Sequence, residues 1–123
     1  MILADTSLWV EQLRRPNGPL TAALDAGMIV MHPFVIGELA CGNLRNRRTL
    51  IELWSDLPSA PTATDSEALR FIERHALAGT GLGYVDVHLL ASAALASGAK
   101  LWTTDRPLAA AAVRLQLAHD DSE

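Results

Sequence analysis

The stretch ILADTS (residues 2–7) decides how the chain is read: three apolar residues, then a carboxylate, then two hydroxyls. An Ile2-Leu3-Ala4 run ending on Asp5 is how a short interior strand finishes at the rim of a sheet, where its last side chain meets solvent. LWTTD (residues 101–105) has the same form, an uncharged run closing on an acid. Between the two, strand-like and helical patterns alternate. Thr6 or Ser7 caps a helix through Trp9, Val10 and Leu13, which the segment Arg14 to Gly18 ends. Pro19 opens a short helix through Leu20, Ala23 and Leu24, closed by Gly27, and Met28 to Met31 reads as a strand. Helices are expected over Phe34–Gly42, over Arg47–Leu57, from Asp65-Ser66-Glu67 to Leu77, over Tyr84–Ser97 and over Pro107–Leu117. Lys100–Thr104 reads as a further strand and Gly79–Gly83 as a connector. Pro58 and Pro61 confine residues 58–62 to a loop or an edge strand, and the tail from Asp120 reads as frayed.

Strands alternating with helices imply an α/β fold with a mostly parallel sheet. In such sheets ligands gather at the carboxyl ends of the strands. Asp5 and Asp105 each follow a strand, so the fold brings both to that edge.

The 123 residues suit one domain, spanning 1–123. No segment approaches the roughly 18 uncharged apolar residues of a membrane-spanning helix, and the opening MILAD lacks the basic start and long apolar core of a secretory signal. A cytoplasmic protein without membrane partners is expected. Cys41, the single cysteine, reads as a buried core thiol. A net charge of −4 argues against binding nucleic acid mainly through a basic face. Nine of the ten basic residues are nevertheless arginines, and Arg14-Arg15 and then Arg45, Arg47 and Arg48 cluster locally, which leaves room for a basic rim around an acidic centre.

Most of the 14 acidic residues lie beside other charges, at helix starts or in the tail, where solvated acids belong. Four do not: Asp5 follows Ile-Leu-Ala, Glu38 stands between Ile36-Gly37 and Leu39-Ala40, Asp86 between Val85 and Val87, and Asp105 ends LWTT. Each has a structural use to weigh: Asp5 and Asp105 as helix caps, Asp86 in a first turn. Glu38, in mid-helix among apolar neighbours, has the weakest such excuse. Carboxylates brought together repel unless a cation joins them or protons are shared. Oxygen-only donors suit Mg²⁺ or Mn²⁺, and such ions assist in-line displacement at a phosphodiester.

Other signals are weaker. The loop GTGLG (79–83) has no Gly-Lys-Ser/Thr after it and is not a Walker loop. His32, His75, His88 and His119 have no zinc-site spacing and read as surface or satisfied side chains. Trp9, Trp54 and Trp102 read as core. Asp5-Thr6-Ser7 is similar to an aspartyl-phosphatase nucleophile, but that pattern needs a second Asp where Ser7 stands.

With the four acids placed, the chain closely resembles the PIN-domain ribonucleases and, among them, the VapC-type toxins of bacterial toxin–antitoxin pairs. The resemblance runs end to end through ILADTSLWVEQLR (2–14), VIGELACGNLR (35–45), GTGLGYVDVHLLASAAL (79–95) and LWTTDRPLA (101–109). It implies a three-layer α/β/α PIN-like domain with a short, mostly parallel central sheet. Carried over residue by residue, it implies that Asp5, Glu38, Asp86 and Asp105 are the catalytic and metal-site acids for Mg²⁺ or Mn²⁺, with Ser7 and Thr104 orienting a carboxylate or the phosphate. It further implies a metal-dependent endoribonuclease acting as a type II toxin, a homodimer, and a cognate antitoxin whose basic tail occupies the site. Arg45, Arg47 and Arg48 are candidates for RNA or antitoxin contact. An extra acid after Asp105, present in some relatives, is replaced here by Arg106-Pro107. The alternatives are a catalytically silent PIN-fold module for a protein or RNA partner, and a small phosphatase.

Overall fold

A computed structural model describes residues 1–120. The chain runs β1 (Ile2–Ala4), α1 (Thr6–Arg14), α2 (Thr21–Asp25), β2 (Ile29–Val30), α3 (Pro33–Ala40), α4 (Arg47–Asp56), α5 (Asp65–Arg74), α6 (Tyr84–Leu95), β3 (Lys100–Trp102) and α7 (Arg106–Arg114). The sheet is parallel throughout, in the order β2-β1-β3. Leu3 of the central strand lies opposite Val30 on one side and Leu101 on the other. All three residues of β1 are buried, as a central parallel strand covered on both faces requires.

The sheet continues past its named strands through single bridges. Met31 exchanges backbone bonds with Pro58 and Ala60 at one edge, and Leu101 with Leu117 and His119 at the other. The proline-flanked segment is therefore an edge element, as expected. Of the tail from Asp120, expected to fray, Asp120 is described and exposed, and residues 121–123 lie outside the described residues.

Helices cover the sheet to give three α/β/α layers. The α1, α3 and α4 helices pack in series, while α5 packs on α6 and α6 on β3. Helix α6 is buried without a break from Val87 to Ala93, the signature of a helix enclosed by protein. Trp9 and Trp54 are buried and meet edge to face at 6.1 Å, joining α1 to α4, whereas Trp102 is only partly buried, beside His119.

Several sequence expectations are corrected. Cys41 is exposed: it closes α3, and the chain runs on over the surface from there. His32 and His88 are buried and not surface histidines, and neither Nε2 makes a hydrogen bond, although that of His88 lies 3.6 Å from Asp65 Oδ1. Helices α5 and α7 end at Arg74 and Arg114, three residues short of the expected Leu77 and Leu117. Both close with a left-handed residue, Ala76 (φ 52°) and Gln116 (φ 61°). Leu77 N–H bonds Ile72 C=O and Leu117 N–H bonds Ala112 C=O, the paired closure of a Schellman motif built without glycine.

Candidate metal-binding site

The carboxyl edge of the sheet is built outward from Asp5. Directly after β1, its backbone N–H donates to Trp102 C=O at 3.0 Å, continuing the β1–β3 pairing by one residue. The side chain is 6% exposed. A carboxylate buried to that degree is costly unless bonded, and here three donors meet it. Ser7 Oγ (2.5 Å) and Leu8 N–H (3.3 Å) donate to Oδ1, and Thr103 Oγ1 donates to Oδ2. Asp5 is thus the cap of α1 and is also held from the neighbouring strand.

Thr103 ties the two strand ends together, because its hydroxyl also accepts Asp105 N–H at 3.0 Å. Thr104 acts one step further out: its Oγ1 and its N–H lie 3.0 and 3.3 Å from Ser7 Oγ, which is bonded in turn to Asp5. Asp105 is exposed and caps α7, its Oδ2 accepting Leu108 N–H at 3.1 Å.

Glu38 is not on a buried face. Val35 and Leu39 are the buried residues of α3, and Glu38 points outward to accept Thr6 Oγ1 at 2.5 Å. That bond draws it to the start of α1, beside Asp5. Asp86 enters from α6, where its Oδ2 accepts Gly83 N–H at 3.0 Å. The loop before it turns at Gly81 (φ 87°), a conformation L side chains avoid, and an added Cβ would stand 3.5 Å from Pro107. This places the entry to α6 against the start of α7.

Asp86 registers the convergence of the acids. Its carboxyl titrates above the ordinary carboxylate range, first because it is half-buried; the Gly83 N–H opposes that shift, and the charges of Asp105, Asp5 and Glu38 reinforce it. All three other acids therefore act on one carboxyl. Among the described residues, however, no three His, Cys, Asp or Glu side chains stand close enough to form a ready-made ion cage. Repulsion among like charges keeps such a cluster open until a cation offsets it. The donors are all oxygen, which fits Mg²⁺ or Mn²⁺ and not a soft metal.

Of the three hydroxyls bonded directly to Asp5 and Glu38, sequence reasoning singled out Ser7 and missed the parts played by Thr103 and Thr6. The arginine cluster divides: Arg47 donates to Ala40 C=O (2.5 Å) and Gly42 C=O (3.2 Å), closing the end of α3, while Arg45 and Arg48 are exposed. A groove of about 800 Å³ along α5 and α6 is lined by residues that include Leu69, Phe71, His75 and Leu95 and contains none of the four acids.

A short parallel sheet with acids gathered at its carboxyl edge, flanked by capped helices, is the arrangement of a PIN domain. Over residues 2–114 the chain matches that family, and it belongs to it. It is similar to two proteins of Mycobacterium tuberculosis, from strains CDC 1551 / Oshkosh and ATCC 25618 / H37Rv, each named Ribonuclease VapC32. Each is 45% identical to it over 111 residues, covering 90% of this chain and 90% of its relative. Among the described residues no helix is long and apolar enough to cross a membrane.

Proposed function

We propose that the protein is a Mg²⁺- or Mn²⁺-dependent endoribonuclease that hydrolyses RNA phosphodiester bonds, acting in the cytoplasm as the toxin of a type II toxin–antitoxin pair. The observation that carries this reading is the gathering of Asp5 and Asp105 at the carboxyl edge of the sheet, both bonded to the Thr103 hydroxyl, with Asp86 near enough to feel their charges and that of Glu38. The similarity to proteins named ribonucleases over nine-tenths of the chain supports it. In this reading the four acids hold the cation, directly or through water. When bound, the cation supplies activation of water and neutralisation of phosphate charge.

The chain's own residues prepare the site. Thr103 and Ser7 fix both oxygens of Asp5, Thr104 steadies Ser7, and Gly83 and Leu108 N–H each fix one oxygen of Asp86 and Asp105. The N-termini of α1, α6 and α7 all open on this edge, and their positive ends favour a phosphate. Arg45 and Arg48 are the residues we assign to RNA or antitoxin contact. Arg47 serves first as a brace for α3. A homodimer and a cognate antitoxin complete the proposal.

One observation favours a second reading. The absence of a ready-made ion cage among the described residues is what a catalytically silent binding module would show. Cleavage of total RNA by the purified protein with Mg²⁺, with chelator, and with Asp5→Asn separates the two. Discrete metal-dependent fragments that vanish in the variant are expected. Intact RNA together with no Mn²⁺ binding heat in calorimetry would establish the silent module instead.

A further inference from the structure

Two exposed aromatic rings stand on the helices that carry Glu38 and Asp86 and have no part in the reading above. Phe34 (38% exposed) opens α3 and Tyr84 (44% exposed) opens α6. Both meet the buried imidazole of His88 edge to face, Phe34 at 4.8 Å and Tyr84 at 4.5 Å between ring centres. His32 supports Phe34 from behind at 5.0 Å, and its Nδ1 accepts the Phe34 backbone N–H. Tyr84 is pinned by its hydroxyl, which donates to Asp65 Oδ1 at 2.5 Å. Neither ring is a loose surface side chain; each is held at a set angle with area left open to solvent.

Their position relative to the acids gives the pair a use. Phe34 precedes Glu38 by four residues, so the two share one outward stripe of α3 roughly 6 Å apart along the axis. Tyr84 stands two residues before Asp86 on the first turn of α6. Phe34 follows β2 at the start of α3, and the start of α6 that carries Tyr84 stands near the start of α7, so α3 and α6 bring the rings together at His88. A chain whose phosphate rests over the acids would bring its attached base to the rings. An aromatic face suits an unstacked base of single-stranded nucleic acid and tolerates any base, since each has a π-face. The acidic net charge leaves stacking as a source of affinity that needs no basic surface.

We propose that Phe34 and Tyr84 form a base-stacking platform that seats one nucleobase of single-stranded RNA beside the four acids. The proposal rests on the nuclease reading for its orientation on the RNA, and its test is separable from it. Adenosine decamers carrying 2-aminopurine at each position in turn are bound by the full chain in Ca²⁺, and the same decamers are assayed for cleavage in Mn²⁺. The expected result is fluorescence quenching by stacking at one or two positions. Phe34→Leu or Tyr84→Leu abolishes the quench and weakens binding about 5- to 150-fold, the range for losing one base–aromatic stack. Phe34→Trp restores both, which a merely structural role for Phe34 would not produce, and circular dichroism checks that each variant is folded. Unchanged quenching and affinity in both leucine variants overturn the platform, as does failure of the decamers to bind or a parent protein that binds without any quench, the outcome for a pair that serves a protein partner. If quenching is lost in the variants while no decamer is cleaved, the platform stands and the nuclease reading falls. If cleavage is lost only in Asp5→Asn and quenching is indifferent to the rings, the nuclease stands and the platform falls.

Discussion

Thr103→Val tests whether the Asp5 carboxylate is held from the neighbouring strand. Valine keeps the shape of threonine and removes only the hydroxyl that donates to Asp5 Oδ2 and accepts Asp105 N–H. A hydrogen bond to a charged group contributes about 1.5–3 kcal/mol. Asp5 is 6% exposed, which favours the upper figure, but Thr103 is only partly buried and water can approach from its side; about 1.5 kcal/mol is the expected loss. With a urea slope of about 1–3 kcal/mol/M for a small domain, the midpoint should fall by about 1 M with the slope unchanged. Thr104→Val is the internal control. Its hydroxyl reaches Ser7 and not Asp5, and it lies in an exposed position, so its loss should stay below about 0.5 kcal/mol. Thr103→Ser should recover most of the difference. If the proposed cation site is correct, Mn²⁺ affinity measured by calorimetry should fall about 10- to 100-fold in Thr103→Val, as for other residues that orient ligands. Equal urea midpoints for the two valine variants would refute the assignment of Thr103 as the support of Asp5.

Ala76→Gly and Gln116→Gly should each stabilise the protein by about 0.5–1 kcal/mol, because each native residue occupies a left-handed helix closure that only glycine adopts without strain; thermal unfolding would show a rise of a few degrees. His32 titrates at about 4, lowered by burial and then by nearby His88, so the native state keeps it neutral while the unfolded chain takes a proton below about 6.5. Its contribution is full above pH 6.5, declines as pH falls toward 4 and totals about 3 kcal/mol; His32→Asn, able to cap α3 in its place, should flatten the stability profile in that window. Asp86 works with the opposite sign. Its raised carboxyl destabilises the cation-free protein above its own pKa, so Asp86→Asn should raise the melting temperature without cation and remove the further gain that Mn²⁺ gives the parent. Cys41, exposed at the end of α3, should react with a thiol reagent in the native protein at a rate close to that of the unfolded chain; protection would contradict its placement.

The two strands that matter most were legible because ILA and LW are uncharged runs interrupted by an acid, and a parallel strand buried on both faces leaves that trace. What the sequence could not show was register. Ala4 pairs with Trp102, and that pairing sets Thr103, not Thr104, beside Asp5. A slip of one residue would have exchanged them, and nothing local in TTD decides it. Glu38 was misjudged for a different reason: its sequence neighbours are apolar, but on a helix the relevant neighbours are three and four residues away. Val35 and Leu39 share the inward face and Phe34 and Glu38 the outward one, a periodicity that was available in the sequence. The helix ends at Ala76 and Gln116 carried no glycine to announce them. Cys41 was read from the burial habit of its residue type, which the end of a helix overrides.

The caps and the acids of this edge are one design. A capping carboxylate and a cation ligand look like competing explanations for Asp5, Asp86 and Asp105, yet a carboxylate has two oxygens and a cap needs one. Asp86 and Asp105 each commit Oδ2 to a backbone N–H, and Glu38 commits Oε1 to Thr6. These bonds fix where the second oxygen can lie. Asp5 differs, with both oxygens bonded, but Oδ1 takes two donors and Oδ2 only one, which leaves Oδ2 a lone pair to share with a cation. The helix ends thus hold mutually repelling carboxylates near one another at a cost that capping bonds offset; Asp86, its titration raised first by burial and then by the charges of the other three, is the carboxylate whose unfavourable setting a divalent cation would relieve.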